Sequence, residues 1–137
     1  ERAGSTNVIH LHGSIFESRS SLDPDLIYPI SGWELRIGDK CERGSQLRPN
    51  IVWFEEAVPM IEIAADVTSM ADIFVVVGTS LQVYPAAGLL NYAPAFIPKF
   101  IVDKKIPYTS SIQNLVTIEK SATEGIQELK TLLSQLQ

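Results

Sequence analysis

Ile73-Phe74-Val75-Val76-Val77-Gly78-Thr79-Ser80, residues 73–80, is the stretch that decides the fold. An unbroken apolar run this short, rich in β-branched side chains and closed by glycine, predicts a strand covered on both faces. Strands of that kind lie inside parallel sheets, and ligands bind in such sheets at the carboxyl ends of the strands. Gly78-Thr79-Ser80 stands at that end. Glycine admits a ligand close to the backbone, and the hydroxyls and amides suit phosphate or ribose oxygens. Small polar residues also close ordinary turns, so the three residues alone leave both readings open.

Downstream, a short helix from Ala86 to Tyr92 is followed by Lys99–Asp103 (KFIVD) and Leu115–Glu119 (LVTIE), which read as further strands. The last helix opens on a capping box, Ser121 with Glu124 three residues on. Ile126, Leu129, Leu132, Leu133 and Leu136 then form an apolar stripe of the kind that packs a core. Upstream, Pro59 suits a first helical turn, and Ile61, Ala64, Val67 and Ala71 share a face, predicting a helix from about 59 to 71. Ile51–Phe54 (IVWF) and Val8–His12 (VIHLH) read as strands. Residues 14–50 are polar and turn-rich and read as a small loop-rich lobe. The expectation is one α/β domain over 1–137: a Rossmann-like, largely parallel sheet with helices on both faces, plus the lobe at 14–50.

The chain has 137 residues, 45% apolar and 20% charged, as in ordinary globular domains, with net charge −5. An acidic chain with no basic patch argues against a nucleic-acid partner. No apolar run reaches membrane-spanning length, and no signal peptide opens the chain, so a cytoplasmic protein is expected. Cys41 is the only cysteine; it makes neither an internal disulfide nor a four-thiolate zinc site, and no third ligand joins His10 and His12 in a metal site. His12, before Gly13 at an expected strand end, fits a general base near neutral pH or a structural histidine. Asp103, ending a strand, fits a ribose-binding carboxylate or an exposed loop acid. Neither G-x-G-x-x-G nor G-x-x-x-x-G-K-[ST] is present.

ERAGSTNVIHLHGS (1–14), LRPNIVWFEEAVP (47–59), VVVGTSLQVYPAAGL (75–89) and SATEGIQELKTLL (121–133) together resemble the sirtuin family, in the family's order. The resemblance implies NAD-dependent deacylation of protein lysine. The acyl oxygen attacks C1′ of the nicotinamide ribose, nicotinamide leaves, and an O-acyl-ADP-ribose and free lysine result. His12 then matches the catalytic base. Gly78, Thr79 and Ser80 match the NAD-binding turn, Asp103 and Lys104 the adenosine-ribose loop, and Ala122 the small residue beside adenine. Val52, Phe54 and Glu55, with Val83 and Tyr84, match the two segments between which the acyl-lysine peptide is laid as an added strand.

Three departures accompany the resemblance. Many sirtuins bind structural zinc through two C-x2-C pairs; here only Ser18, Ser20 and Cys41 stand in that region, so no zinc is expected. Glu55 stands where the family has glycine. The family's glycine-rich loop and Q-N-I-D precede the region matched by Glu1, so the chain alone is expected to be an inactive fragment that binds NAD weakly and pairs with itself through an open sheet edge. The alternative to a deacylase is a non-catalytic NAD- or ADP-ribose-binding module of the same fold.

Overall fold

A computed structural model describes residues 1–109 and 111–136. It divides into two compact units, Glu1–Met60 and Ile61–Gln137, each built on its own three-stranded sheet.

In the first unit β1 (Gly13–Ser20) lies between β2 (Ile27–Pro29) and β3 (Leu47–Ile51), antiparallel to both. The register with β3 shifts between Ser14 and Ser18. Pro49 is tolerated because β3 is an edge strand with one side free of ladder bonds. The stretch expected to be a loop-rich lobe therefore carries a sheet. Its strands are short, polar and interrupted by turn residues, so no apolar periodicity marked them.

Two expected strands of this unit are corrected. Val8–His12 is not a strand: Gly13 N–H donates to the His10 carbonyl at 3.0 Å, closing a turn, and β1 starts only at Gly13. A β-branched composition makes a strand only when a ladder partner is present. IVWF likewise holds only Ile51 in the sheet, because residues 53–56 close on themselves: Glu56 N–H donates to the Trp53 carbonyl at 3.2 Å. The five-strand parallel sheet expected from the sequence is thus two sheets, of which only the second is parallel.

The second unit follows the alternating pattern. Helix α1 (Ile61–Ser69) is followed by β4 (Phe74–Val77), a 3-10 helix (Ala86–Asn91), β5 (Lys99–Asp103), β6 (Leu115–Glu119) and α2 (Ala122–Ser134). The sheet order is β4-β5-β6, all parallel. Alternate residues of β5 face opposite ways. Phe100 and Val102 join Ile118 and Leu129 of α2 on one side, while Ile101 joins Val76 and Leu90 on the other. Both faces are covered, which is why β5 reads as a continuous apolar run. In α1 the buried positions are Ala65 and Thr68, while Val67, placed on the inner face by spacing, is half exposed. Leu136 lies beyond the end of α2 and is exposed. Lys99 opens β5 only 3% exposed; its ammonium donates to the carbonyls of Pro94 (2.7 Å), Ala95 (3.2 Å), Ile97 (3.2 Å) and Gln113 (3.4 Å). Those bonds satisfy the buried charge and tie the entry loop to the strand.

Candidate functional site

In the first unit the candidate residues gather where β1 and β3 begin and end. His12 is exposed in the turn ahead of β1, and its carbonyl accepts the Val52 N–H at 3.0 Å. Gly13 has φ +80°, and a Cβ there would lie 2.0 Å from the Asn50 carbonyl oxygen. Only glycine lets the strand after His12 pass that close to β3, so the His-Gly pair is a packing requirement as well as a motif. A cavity of about 570 Å3 in this unit is walled in part by Leu11, Gly13, Asn50, Ile51 and Val52; the residues on both sides of His12 line it, and His12 does not. His10 is exposed, with Nε2 3.1 Å from Glu1 Oε1. His10 itself lines the cavity.

Val52 is half-buried, while Phe54 and Glu55 protrude, Phe54 being 87% exposed. Glu55 sits at φ +72°, in the left-handed region. The turn that carries them is held by residues that sequence reasoning passed over. Glu56 receives Arg48 in a fork, Nη1 to Oε1 at 2.6 Å and Nη2 to Oε2 at 3.1 Å, and Oε2 also accepts the Trp53 N–H at 3.0 Å. The Arg48 guanidinium, next in effect the Trp53 amide, hold the Glu56 carboxyl down to about 2. The only available signal was the spacing of Arg48 and Glu56 within one motif.

The family's zinc can be tested on the donors present. Cys41 Sγ lies 3.0 Å from Ser45 Oγ, Ser45 Oγ is 2.6 Å from Ser20 Oγ, and Ser18 donates to the Tyr28 carbonyl at 3.4 Å. One thiol and three hydroxyls, already bonded to each other and to backbone, do not make a tetrahedral zinc set. Among the described residues no group of three His, Cys, Asp or Glu side chains gathers.

In the second unit, three parallel strands end at one edge of the sheet. Gly78-Thr79-Ser80 follows β4, Asp103-Lys104 closes β5, and Ser121-Ala122 follows β6 at the start of α2. Gly78 adopts φ +66°, and its N–H donates to the Val102 carbonyl at 2.9 Å. Thr79, Ser80, Lys104 and Ala122 are exposed. Asp103 is partly exposed and accepts the Lys105 N–H at 2.9 Å. Ser121 caps α2, accepting the Glu124 N–H at 3.4 Å and donating to the Glu124 carboxylate at 2.6 Å. Val83 and Tyr84 are exposed ahead of the 3-10 helix, where Tyr84 lines a groove of about 420 Å3 with Asn91 and Tyr92.

The Sir2 family model matches residues 1–85.

The chain belongs to the Sir2 family.

A Bacteroides thetaiotaomicron NAD-dependent protein deacylase is 47% identical over 138 residues, covering 97% of this chain and 59% of that protein. A Helicobacter pylori NAD-dependent protein deacylase is 41% identical, covering 99% of this chain and 59% of that protein. The chain thus spans 59% of the length of these curated Sir2 relatives. Among solved structures, a Sir2 homolog–NAD complex matches with TM-score 0.80 at 31% identity, over 98% of this chain and 54% of that one. Sir2Tm bound to a propionylated peptide matches with TM-score 0.75 at 28% identity, over 97% and 59%. The Sir2 match runs through His12-Gly13 and Gly78–Ser80, and the α/β fold with its parallel sheet agrees with these neighbours.

Proposed function

We propose that the protein carrying this chain is an NAD-dependent protein-lysine deacylase, transferring the acyl group to ADP-ribose and releasing nicotinamide. The observation that carries this is the delivery of Gly78–Ser80, Asp103–Lys104 and Ala122 to the carboxyl edge of three adjacent parallel strands, where α/β sheets bind nucleotides. The exposed hydroxyls of Thr79 and Ser80 and the carboxylate of Asp103 fit the ribose and phosphate oxygens of NAD. NAD, when bound, supplies the ADP-ribosyl group that accepts the acyl. His12 takes a proton from a ribose hydroxyl, and its exposure leaves the ring open to substrate. Val52–Glu55 of the first unit and Val83–Tyr84 of the second are the segments to which the resemblance gives backbone contacts with the acyl-lysine peptide. The relatives' names and the propionylated-peptide complex support the same reaction class. No helix among the described residues is long and apolar enough to cross a membrane, and a cytoplasmic working place belongs to this reading. So does pairing of the isolated chain with itself through β4, which lies at the edge of its sheet.

The test is deacylation by the intact protein with His12→Ala and His10→Ala. Loss of a general base lowers turnover roughly 10²- to 10⁴-fold, and NAD binding by calorimetry should persist. His10→Ala should leave the rate unchanged and alter stability only slightly, because its hydrogen bond is to the exposed Glu1 carboxylate. Undiminished turnover in His12→Ala would remove the base assignment and favour the non-catalytic NAD- or ADP-ribose-binding module.

A further inference from the structure

Arg19 and Arg48 are cross-strand partners in the β1–β3 register. Like charges directly opposite one another on antiparallel strands repel, and both side chains are largely covered, at 17% and 25% exposure. Glu56 answers both. Its carboxylate takes the Arg48 fork, and its Oε2 lies 3.5 Å from Arg19 Nη2. The same Oε2 accepts the Trp53 N–H, and Arg48 Nη2 also donates to the Ile51 carbonyl at 3.3 Å. The guanidinium stands 5.9 Å from the centre of the Trp53 ring. One carboxylate therefore joins two strands to the turn that follows them. That turn contains Glu55 at positive φ, a conformation that persists only where its surroundings over-determine it. Between the anchors stand the half-buried Val52, which bonds the His12 carbonyl, and the exposed Phe54 and Glu55.

We propose that Arg48 and Glu56 are positioning residues: a clasp that fixes residues 52–56 in the shape that receives the acyl-lysine peptide, acting through the turn. This rests on the peptide-binding reading of Val52–Glu55 above. A turn ordered before binding spares the peptide the entropy of ordering it, so the clasp governs peptide affinity and leaves the nucleotide alone.

The experiment uses the intact protein with Arg48→Ala, Arg48→Lys and Glu56→Gln. Peptide and NAD KM, kcat, and peptide Kd by fluorescence polarisation are measured well below each variant's melting temperature. Wild-type turnover with NAD tests the deacylase reading by itself; polarisation tests the clasp whether or not turnover occurs. Losing the fork should raise peptide KM and Kd about tenfold or more, with NAD KM within about twofold. Arg48→Lys keeps the charge but not the fork and should fall between wild type and Arg48→Ala. Unchanged peptide KM and Kd in folded variants, or unfolding of all three, would overturn the proposal, the latter by showing a staple of the fold. A wild-type protein that neither turns over nor binds the peptide would sink both readings.

Discussion

Glu55 holds a backbone angle of φ +72° that costs a residue with a Cβ roughly 1–2 kcal/mol. Glycine escapes that cost but loses about 0.5–1 kcal/mol in unfolded-chain entropy. Glu55→Gly should therefore stabilise the protein by up to about 1 kcal/mol, and Glu55→Val should destabilise it, both read from urea midpoints. Beside it, the carboxyl of Glu56 titrates at about 2 in the folded protein against an ordinary 4.5. A pKa depressed by folding means the unfolded chain binds the proton more readily. The stability contributed by this group is thus complete above 4.5 and is lost as pH falls towards about 2. Urea midpoints measured between about pH 6 and about pH 3 should fall with acidification, and the fall should be shallower in Glu56→Gln. A variant with the wild-type slope would mean that other carboxylates carry the acid sensitivity.

Helix α2 shows what a single element owes to its neighbours. Its capping box and apolar stripe were readable, and Ser121 and Glu124 do bond each other. Gly125 was unreadable in purpose, since an interior helical glycine normally costs about 1 kcal/mol relative to alanine. A Cβ at Gly125 would lie 2.3 Å from Val102 Cγ1 and 3.3 Å from Ile118 Cγ2, so the missing side chain is what lets the helix rest on the sheet. Gly125→Ala should destabilise despite its better helix propensity, because overpacking a core costs typically about 1–3 kcal/mol. A rise in the urea midpoint would show that Val102 rotates away and that the close approach is dispensable.

At the scale of the whole molecule, the two sheets obey different rules. In the second unit only the central strand is covered on both faces, with Ile101 and Val102 of β5 at 0% exposure. Strand β4, expected to be covered on both faces, leaves Val75 and Val77 exposed because it lies at the sheet edge. The sheet of the first unit is short and polar; Ser18 and Ser20 are buried within it, and Cys41 is buried outside its strands. Ser20, Ser45 and Cys41 satisfy one another through hydrogen bonds. Prolonged treatment with a strong chelator should accordingly leave the thermal unfolding curve unmoved. A drop in melting temperature that added zinc restores would refute the reading of that donor set.

The parallel sheet, its last helix and the turns after its strands were fixed by local chemistry. A parallel strand buried on both faces must be apolar on both, which holds for KFIVD. IFVVV and LVTIE were legible from their β-branched composition although Val75, Val77 and Val116 are exposed, and the residues that end the three strands mark the candidate nucleotide edge. The assignment of His12, Gly78–Ser80 and the peptide segments came from long motifs, not from periodicity, and the roles of those residues stand as proposals. Tertiary structure alone decided the rest. VIHLH has strand composition but turns at Gly13 instead, since a strand exists only through its ladder partner. Residues 13–51 pair through polar strands whose pattern carries no period. The Glu56 clasp joins side chains from two strands and a turn, and Gly125 answers to residues on two others. The Arg19–Glu56 arm of the clasp and the Gly125–Val102 approach each join segments more than twenty residues apart, which no local pattern encodes.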